Sequence, residues 1–499
     1  MGDGLPVARE EVCSRRGSFL SGDAPSAAAI VAAVAAGRST AAGVLAEHLA
    51  RHRAAHGRLN ALVQPRHDAA AGELAGLVGR PMGGVPVSVK ECFPVCGLRT
   101  TLGIPGRDGR DTHDAEIVVR LRAAGAVIVG KANVPQAMWL HETDNPVWGR
   151  TNHPTAIDRG PGGSSGGDAA LVAAGVVPLA VGTDLAGSIR QPAHACGIAG
   201  LLPRTATLGE GGAFDTLPHL TAIRPRAGFL ARNVDDLALA CAALTPNALP
   251  ASRGSVRIGW WDEAGVLAPS AAIRRGVHEA VKRIAACGCQ TQRIAGDLAL
   301  EAAWLLLALV AADGGADIRR LFGGTRPMPA IQRLLRLAGL PRLLRPPVAA
   351  GCRLVGRRIE AAALLATGPR TSADLERVLA ARSALADRMA LWGRECDAII
   401  CPVSALPALR HGTAATLLPA AFPCLLANLL DLAAGTVPVT TVRADEEAGR
   451  AATRDPVEQA AAATDRGSRG LPVGVQVIAL NGGESTVLDV MRMIETAVR

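Results

Sequence analysis

The chain has 499 residues, 49% of them apolar and only 19% charged, which excludes a disordered chain and supplies a large buried core. The formal net charge of +9 is spread without any run of five like charges, so nucleic-acid binding is not expected. Tyrosine is absent and Phe and Trp number six each, which removes a phenolic acid or base and disfavours base stacking.

In chain order, residues 1–24 are expected to be a loose leader ahead of one domain spanning 25–499. The start, MGDGLPVAREEVCSRRGSF, places acids early and has no apolar core. The longest apolar run near it, Ala27–Ala36, is about ten residues against the roughly 20 of a spanning helix, so a soluble or at most peripheral protein is expected, in a cytoplasmic location that the cysteine usage below also suggests. From Pro25 to about Leu77 the pattern is helical, with Ser39 or Thr40 as a cap. GGVPVSVKECF (83–93) changes period: Val85, Val87 and Val89 alternate as in a short strand. A helix is predicted over Glu116–Ala124 and a buried strand over Ala126–Gly130. A Gly/Ser/Pro-rich stretch at 151–168 leads into a helix over Asp168–Val176 and a strand at PLAVGTD. VRIGWW (256–261) reads as a strand and Ala271–Ala286 as a helix. From about Ala311 to Trp392 the chain is helical and rich in Leu and Arg, an expected insertion or cap. Strands return at 397–407, 434–442 and 470–480, with a polar surface excursion at 443–469 and a last helix at Glu484–Val498. Strands alternating with helices predict an α/β layered fold.

Two counts direct attention. Lysine occurs only at Lys90, Lys131 and Lys282, in a chain whose other cations are Arg. Arg replaces Lys as a surface cation but not as a group that must lose its proton. The eleven Cys show no disulfide or zinc spacing, and no H-E-x-x-H occurs, so free thiols and no metal are expected.

The chemistry is expected between Gly160 and Leu202. GGSSGG (162–167) opens directly onto a helix, where a linker would not sit. It also fits the G-x-S-x-G elbow, but the preceding HPTAIDRGP is a poor strand. In GTDLAGSIRQP (182–192), Ser188 follows small residues, and the N–H groups of Leu185, Ala186, Gly187 and Ser188 are candidates for an oxyanion hole.

Taken together, a Lys ending GVPVSVK, the GGSSGG block and a second Ser 24 residues after the first resemble the amidase signature family of serine amidohydrolases. The resemblance runs from about residue 25 to the C-terminus. Through SVKECF, TLGIPG, NVPQAM, GTDLAGSIRQPAHACGIAGL, NLLDLAAGTVPVTTV and GLPVGVQVIAL it is similar to the fatty-acid amide hydrolase branch. It implies a large mixed twisted β-sheet covered by helices on both faces, with a helical cap. It implies Lys90 as base, Ser164 as bridging serine and Ser188 as nucleophile. Ser165 would orient Ser164, Asp184 and Arg190 would pair under the loop, and Met138 would touch substrate. No cofactor is implied. Ala186 stands where the family usually has Gly, and Asp168 matches the acid of the lipid-amide branch. The expected substrate is a small-molecule acyl amide, apolar or fatty acyl. An amide-forming acyltransferase using the same acyl-enzyme is the alternative, ahead of an A-type subunit of a tRNA amidotransferase and a catalytically silent binding protein. The stretch 331–345, IQRLLRLAGLPRLLR, places Ile331, Leu334, Leu335 and Ala338 on one helical face, opposite Gln332, Arg333 and Arg336. This leaves open a peripheral membrane contact. A homodimer is also left open.

Overall fold

The computed structural model describes residues 24–245 and 256–496. Residues 1–23 of the expected leader and 497–498 of the expected last helix lie outside them. The described strands are β1 (Leu62–Pro65), β2 (Pro86–Lys90), β3 (Val127–Ala132), β4 (Leu179–Asp184), β5 (Ala199–Leu202) and β6 (Arg226–Ala231) in the first half. The second half adds β7 (Arg257–Trp260), β8 (Gln290–Arg293), β9 (Ala398–Pro402), β10 (Ala434–Thr441) and β11 (Pro472–Ala479). They form one mixed sheet in the order β1-β3-β2-β4-β6-β5-β10-β11-β9-β7-β8. β2 runs parallel to both β3 and β4, whereas β4, β6, β5, β10, β11 and β9 pair antiparallel.

Both faces of the sheet are buried, as the strand period requires. Leu179 and Val181 of β4 join one apolar cluster and Ala180 between them joins another. Ile128 and its neighbours Val127 and Val129 divide the same way on β3. The second cluster includes Ala169, Ala170 and Val172 of the wholly buried helix Gly166–Ala173.

The helix Ala271–Ala286 matches its expected span, and Glu116–Ala123 ends one residue short. Three expectations change. The helical reading of 25–77 hides β1, a four-residue strand too short to show a period, held by antiparallel pairing with β3. The helical stretch between β8 and β9 starts at Asp297 rather than near 311, because DLALEAAWLLLALV is apolar all round and gives no amphipathic stripe. It continues through Ala316–Phe322, Pro329–Ala338, Arg345–Leu354, Arg358–Ala366 and Ser372–Glu395. The 443–469 excursion carries a helix, Pro456–Asp465, capped by Asp455.

The amphipathic face read at 331–345 turns inward. Ile331, Leu335 and Ala338 are buried, and Leu334 and Leu337 line the internal cavity described below. Exposed apolar residues follow instead at Leu343 and Leu344 and again at Val348, Leu354 and Val355. This corrects the expected contact face: Leu334 and Leu335 cover the chain's own interior. The described cysteines are all free. Among the described residues, no helix is long and apolar enough to cross a membrane.

Candidate active site

β2 and β4 are hydrogen-bonded neighbours, so their C-terminal ends bring Lys90 beside Thr183 and Asp184. Lys90 is fully buried. Its Nζ lies 2.7 Å from Ser164 Oγ, 2.7 Å from Thr183 Oγ1 and 3.2 Å from the Thr183 carbonyl. Burial pushes the Lys90 pKa down, against the opposing charges of Cys92, Asp168 and Asp184. Of the other lysines, Lys282 is exposed on a helix, and Lys131 is held by the Arg99 carbonyl, Thr100 and Asp111. The structure therefore singles out Lys90 as the lysine facing a serine.

Ser164 follows a cis peptide bond from Gly163. Two glycines are needed here for space. Gly162 has φ +83°, and a Cβ on it would overlap Gln191 Oε1. A Cβ on Gly163 would meet the Leu140 carbonyl at 2.6 Å. Gln191 accepts from the Gly163 N–H, and Thr143 Oγ1 donates to the Gly162 carbonyl, so the loop is clamped from both sides.

Ser165 acts differently from expectation. Its N–H donates to the Ser188 carbonyl at 3.1 Å and its hydroxyl to the Thr183 carbonyl at 3.4 Å. It fastens the Ser164 loop to the Ser188 loop rather than orienting the Ser164 hydroxyl.

Asp184 and Arg190 are both fully buried and form the expected pair, with contacts of 2.9 and 3.0 Å. Burial alone would raise the Asp184 pKa, but Arg190 and several hydrogen bonds hold it well below the usual carboxylate range. Asp184 also accepts from the N–H groups of Gly187, at 2.7 Å, and Ile189. The oxyanion set therefore needs correction. The Gly187 N–H is committed to a carboxylate, and the carbonyl of the same peptide, Ala186, accepts from His141 Nε2 at 3.2 Å. That peptide is pinned at both ends. Among the described residues, the N–H groups of Leu185, Ala186 and Ser188 have no protein acceptor. Burial pushes the His141 pKa down to about 4, so the ring is neutral near pH 7. Nothing in the sequence around His141 signalled this role, because its partner is a backbone atom 45 residues away.

Asp168 lies on the buried helix behind β2. Its Oδ1 accepts from Ser88 Oγ at 2.8 Å, whereas its Oδ2 has no partner. Burial raises its pKa to about 7, against the Ser88 hydrogen bond and the charge of Lys90.

Ser164, Thr183, Leu185, Ala186 and Ser188 open on one cavity of about 490 Å³. Met138 lines it too, in the left-handed region at φ 59°. Away from the serines the walls are apolar, with Leu306, Leu307 and Val310 from the Asp297 helix facing Phe422 and Leu425. Such a site presents hydroxyls, a buried amine and free N–H donors at one place and an apolar chamber beyond.

Residues 44–488 match the Amidase family. Fatty-acid amide hydrolase 1 of Sus scrofa is 34% identical over 444 residues, covering 83% of this chain and 75% of that protein. Fatty acid amide hydrolase 1 of Caenorhabditis elegans is 30% identical over 446 residues, covering 84% and 77%. A solved structure of a fatty acid amide hydrolase superposes with a TM-score of 0.78 at 19% identity, covering 94% of this chain and 85% of that one. The chain belongs to the amidase family and is an amidohydrolase.

Proposed function

We propose that this amidohydrolase cleaves amides with an apolar, fatty-acyl-like acyl group through an acyl-enzyme on Ser188. The carrying observation is the 2.7 Å contact between Lys90 and Ser164, beside an apolar cavity that Ser188 also lines. A neutral Lys90 has two N–H groups for the two Thr183 oxygens and one lone pair left for Ser164. In that state it is a base, and burial favours that state. Ser164 then passes the Ser188 proton to Lys90 as Ser188 Oγ attacks the amide carbon. The oxyanion is met by N–H groups of Leu185, Ala186 and Ser188. Collapse returns the proton through Ser164 to the leaving amine. Water repeats the sequence on the ester and releases the acid. The apolar walls exclude water from the acyl chain, and the similarity to fatty-acid amide hydrolases supports the same substrate class. An amide-forming acyltransferase would differ only in an amine replacing water at the second step.

Delivery of such a substrate from a lipid surface fits the exposed Leu343 and Leu344, which follow exposed Arg342, and the exposed Leu354 and Val355, flanked in the chain by exposed Arg353, Arg357 and Arg358. Apolar side chains flanked by Arg suit an anionic surface.

Intact-mass and peptide mass spectrometry after a fluorophosphonate probe, then a panel of acyl amides with and without added amine, tests the reading. The adduct is expected on Ser188, with long acyl groups retained over acetyl and acid as product. Label on Ser164 with Ser188 unmodified overturns the assignment of roles, and amide formation outrunning acid release favours the acyltransferase.

A further inference from the structure

Outside the active site, one group of chemically able side chains has no use in the amide chemistry. His48, His52 and His56 recur every four residues on the helix Ala41–Leu59, so one helix face carries all three. The chain then caps at Asn60, passes through β1 and starts the short helix His67–Ala71, which returns His67 to that face. The ring centroids of His48, His52 and His67 form a triangle with sides of 6.2, 5.6 and 5.1 Å. His56 stands 5.0 Å from His52 on the solvent side. Imidazoles on a tetrahedral zinc, with Zn–N of about 2.0–2.1 Å, have centroids roughly 5 Å apart.

Polar satisfaction points the same way. His48 is fully buried and His52 nearly so. The Nε2 atoms of His48, His52 and His67 are all buried without a hydrogen-bond partner. Three orphaned buried nitrogens in one place are costly unless something binds them. His48 Nδ1 lies 2.8 Å from the Val176 carbonyl, which fixes the proton on Nδ1 and leaves the Nε2 lone pair free. A backbone carbonyl on the remote nitrogen is the usual outer partner of a metal-binding His. Burial lowers the pKa of His48 and His52 to about 4 and lowers that of His67, so the rings are neutral, as ligands must be. Two cations lie near: Arg51 is paired with Glu47, and Arg53 acts on His52 and His67 from the exposed side of the helix.

We propose that His48, His52 and His67 form a structural site for a borderline divalent cation such as Zn²⁺, with water as fourth ligand. As the rings stand, their nitrogens do not share one centre, so binding requires the His52 and His67 rings to turn toward His48 Nε2 while His48 keeps its Val176 bond. The group whose ligand atoms already lie within 4.8 Å of one another, His219, Asp313 and Asp317, is the weaker candidate. Its atoms are already engaged within the protein: Asp317 accepts from the N–H and Nδ1 of His219 and from Arg320, and Asp313 accepts from two backbone N–H groups. A bound cation would clamp two helices to the Val176 turn that ends the Asp168 helix.

The test uses the full chain, stripped with a chelator and titrated with Zn²⁺ alone and Co²⁺ alone. One equivalent of Zn²⁺ is expected to bind and to raise Tm with the logarithm of its concentration. Co²⁺ is expected to give the visible absorption of a four-coordinate site, without the ultraviolet band of thiolate ligation. His67→Gln and His52→Gln should each weaken binding at least about tenfold, since losing an outer partner alone costs that much. Their Tm in chelator should match the parent. Absence of saturable binding by the parent chain overturns the proposal without any variant. So does undiminished binding by both variants, which would place the ion elsewhere on the chain.

Discussion

The seam between β2 and β4 and the helical stretch between β8 and β9 use opposite physics. In the seam, charge is buried and almost every group is matched. Lys90, Asp184 and Arg190 are all sealed from solvent, and each finds its partners within the same few loops. In the helical stretch, apolar side chains face both ways. Leu306 and Leu335 are buried, while Leu343 and Leu354 stand 88% and 89% exposed. Chemistry needs fixed distances, which only a closed polar network holds. An apolar cavity needs only volume and apolar walls, so the helices that bound it can carry exposed apolar residues on their outer surface.

The largest expected effect breaks the seam at its base. Lys90→Arg should lower kcat/KM on a long-chain amide nearly as much as Ser188→Ala. Losing a triad member costs about 10⁴–10⁶ in turnover in serine hydrolases. Arg keeps the charge but does not deprotonate near neutral pH. Steady-state assays checks this: activity of Lys90→Arg within about tenfold of the parent would show that Lys90 works only as a cation. Next comes the scaffold pair. Arg190→Ala leaves the buried Asp184 carboxylate unpaired and should cost about 3–5 kcal/mol by denaturant unfolding. Combining it with Asp184→Asn should cost less than Arg190→Ala alone, because no uncompensated charge remains.

A smaller effect separates the acid behind the seam from the seam itself. kcat/KM should rise with pH as Lys90 loses its proton. Above about pH 7 Asp168 carries charge, which favours the protonated amine and raises the Lys90 pKa. Asp168→Asn removes that charge while keeping an acceptor for Ser88. The rising limb should move to lower pH by about one unit. An unmoved limb would separate Asp168 from the base.

The closeness of Lys90 and Ser164, and the place of Ser188 on the same cavity, were legible because these residues sit in motifs whose glycines are required by contacts such as Gly163 against the Leu140 carbonyl. The Asp184–Arg190 pair was also legible, lying six residues apart. The pinned Gly187 peptide was not. A run of four N–H groups looks alike in sequence, and only the folded loop shows which one turns to Asp184. His141, Thr183 and Gln191 were missed for the same reason, since each acts on atoms that the fold brings near. The four-residue periodicity of His48, His52 and His56 was present in the sequence, but His67 joins them only after β1 turns the chain back. In the helical stretch the class of structure was readable and its facing was not. A face of Ile331, Leu334 and Leu335 fits a core as well as a membrane, and the internal cavity decides it.

That ambiguity leads to the smallest expected effect on the folded chain. If the exposed apolar residues are outward fittings rather than core, Leu343→Ser with Leu354→Ser should change stability by no more than about 0.5 kcal/mol, the usual range for surface positions. Leu335→Ser, one of the residues turned inward, should cost several times more, since it places a hydroxyl in a buried apolar site. Binding to anionic vesicles separates the two classes in the other direction. Co-sedimentation at low salt should weaken with added salt, as Arg353, Arg357 and Arg358 are screened. It should fall several-fold in the Leu343/Leu354 variant, while turnover of a short, water-dispersed amide stays at the parent level. Equal sedimentation of parent and variant would leave this outer face without a lipid role, and the difference between the two regions would then lie only in how tightly each packs.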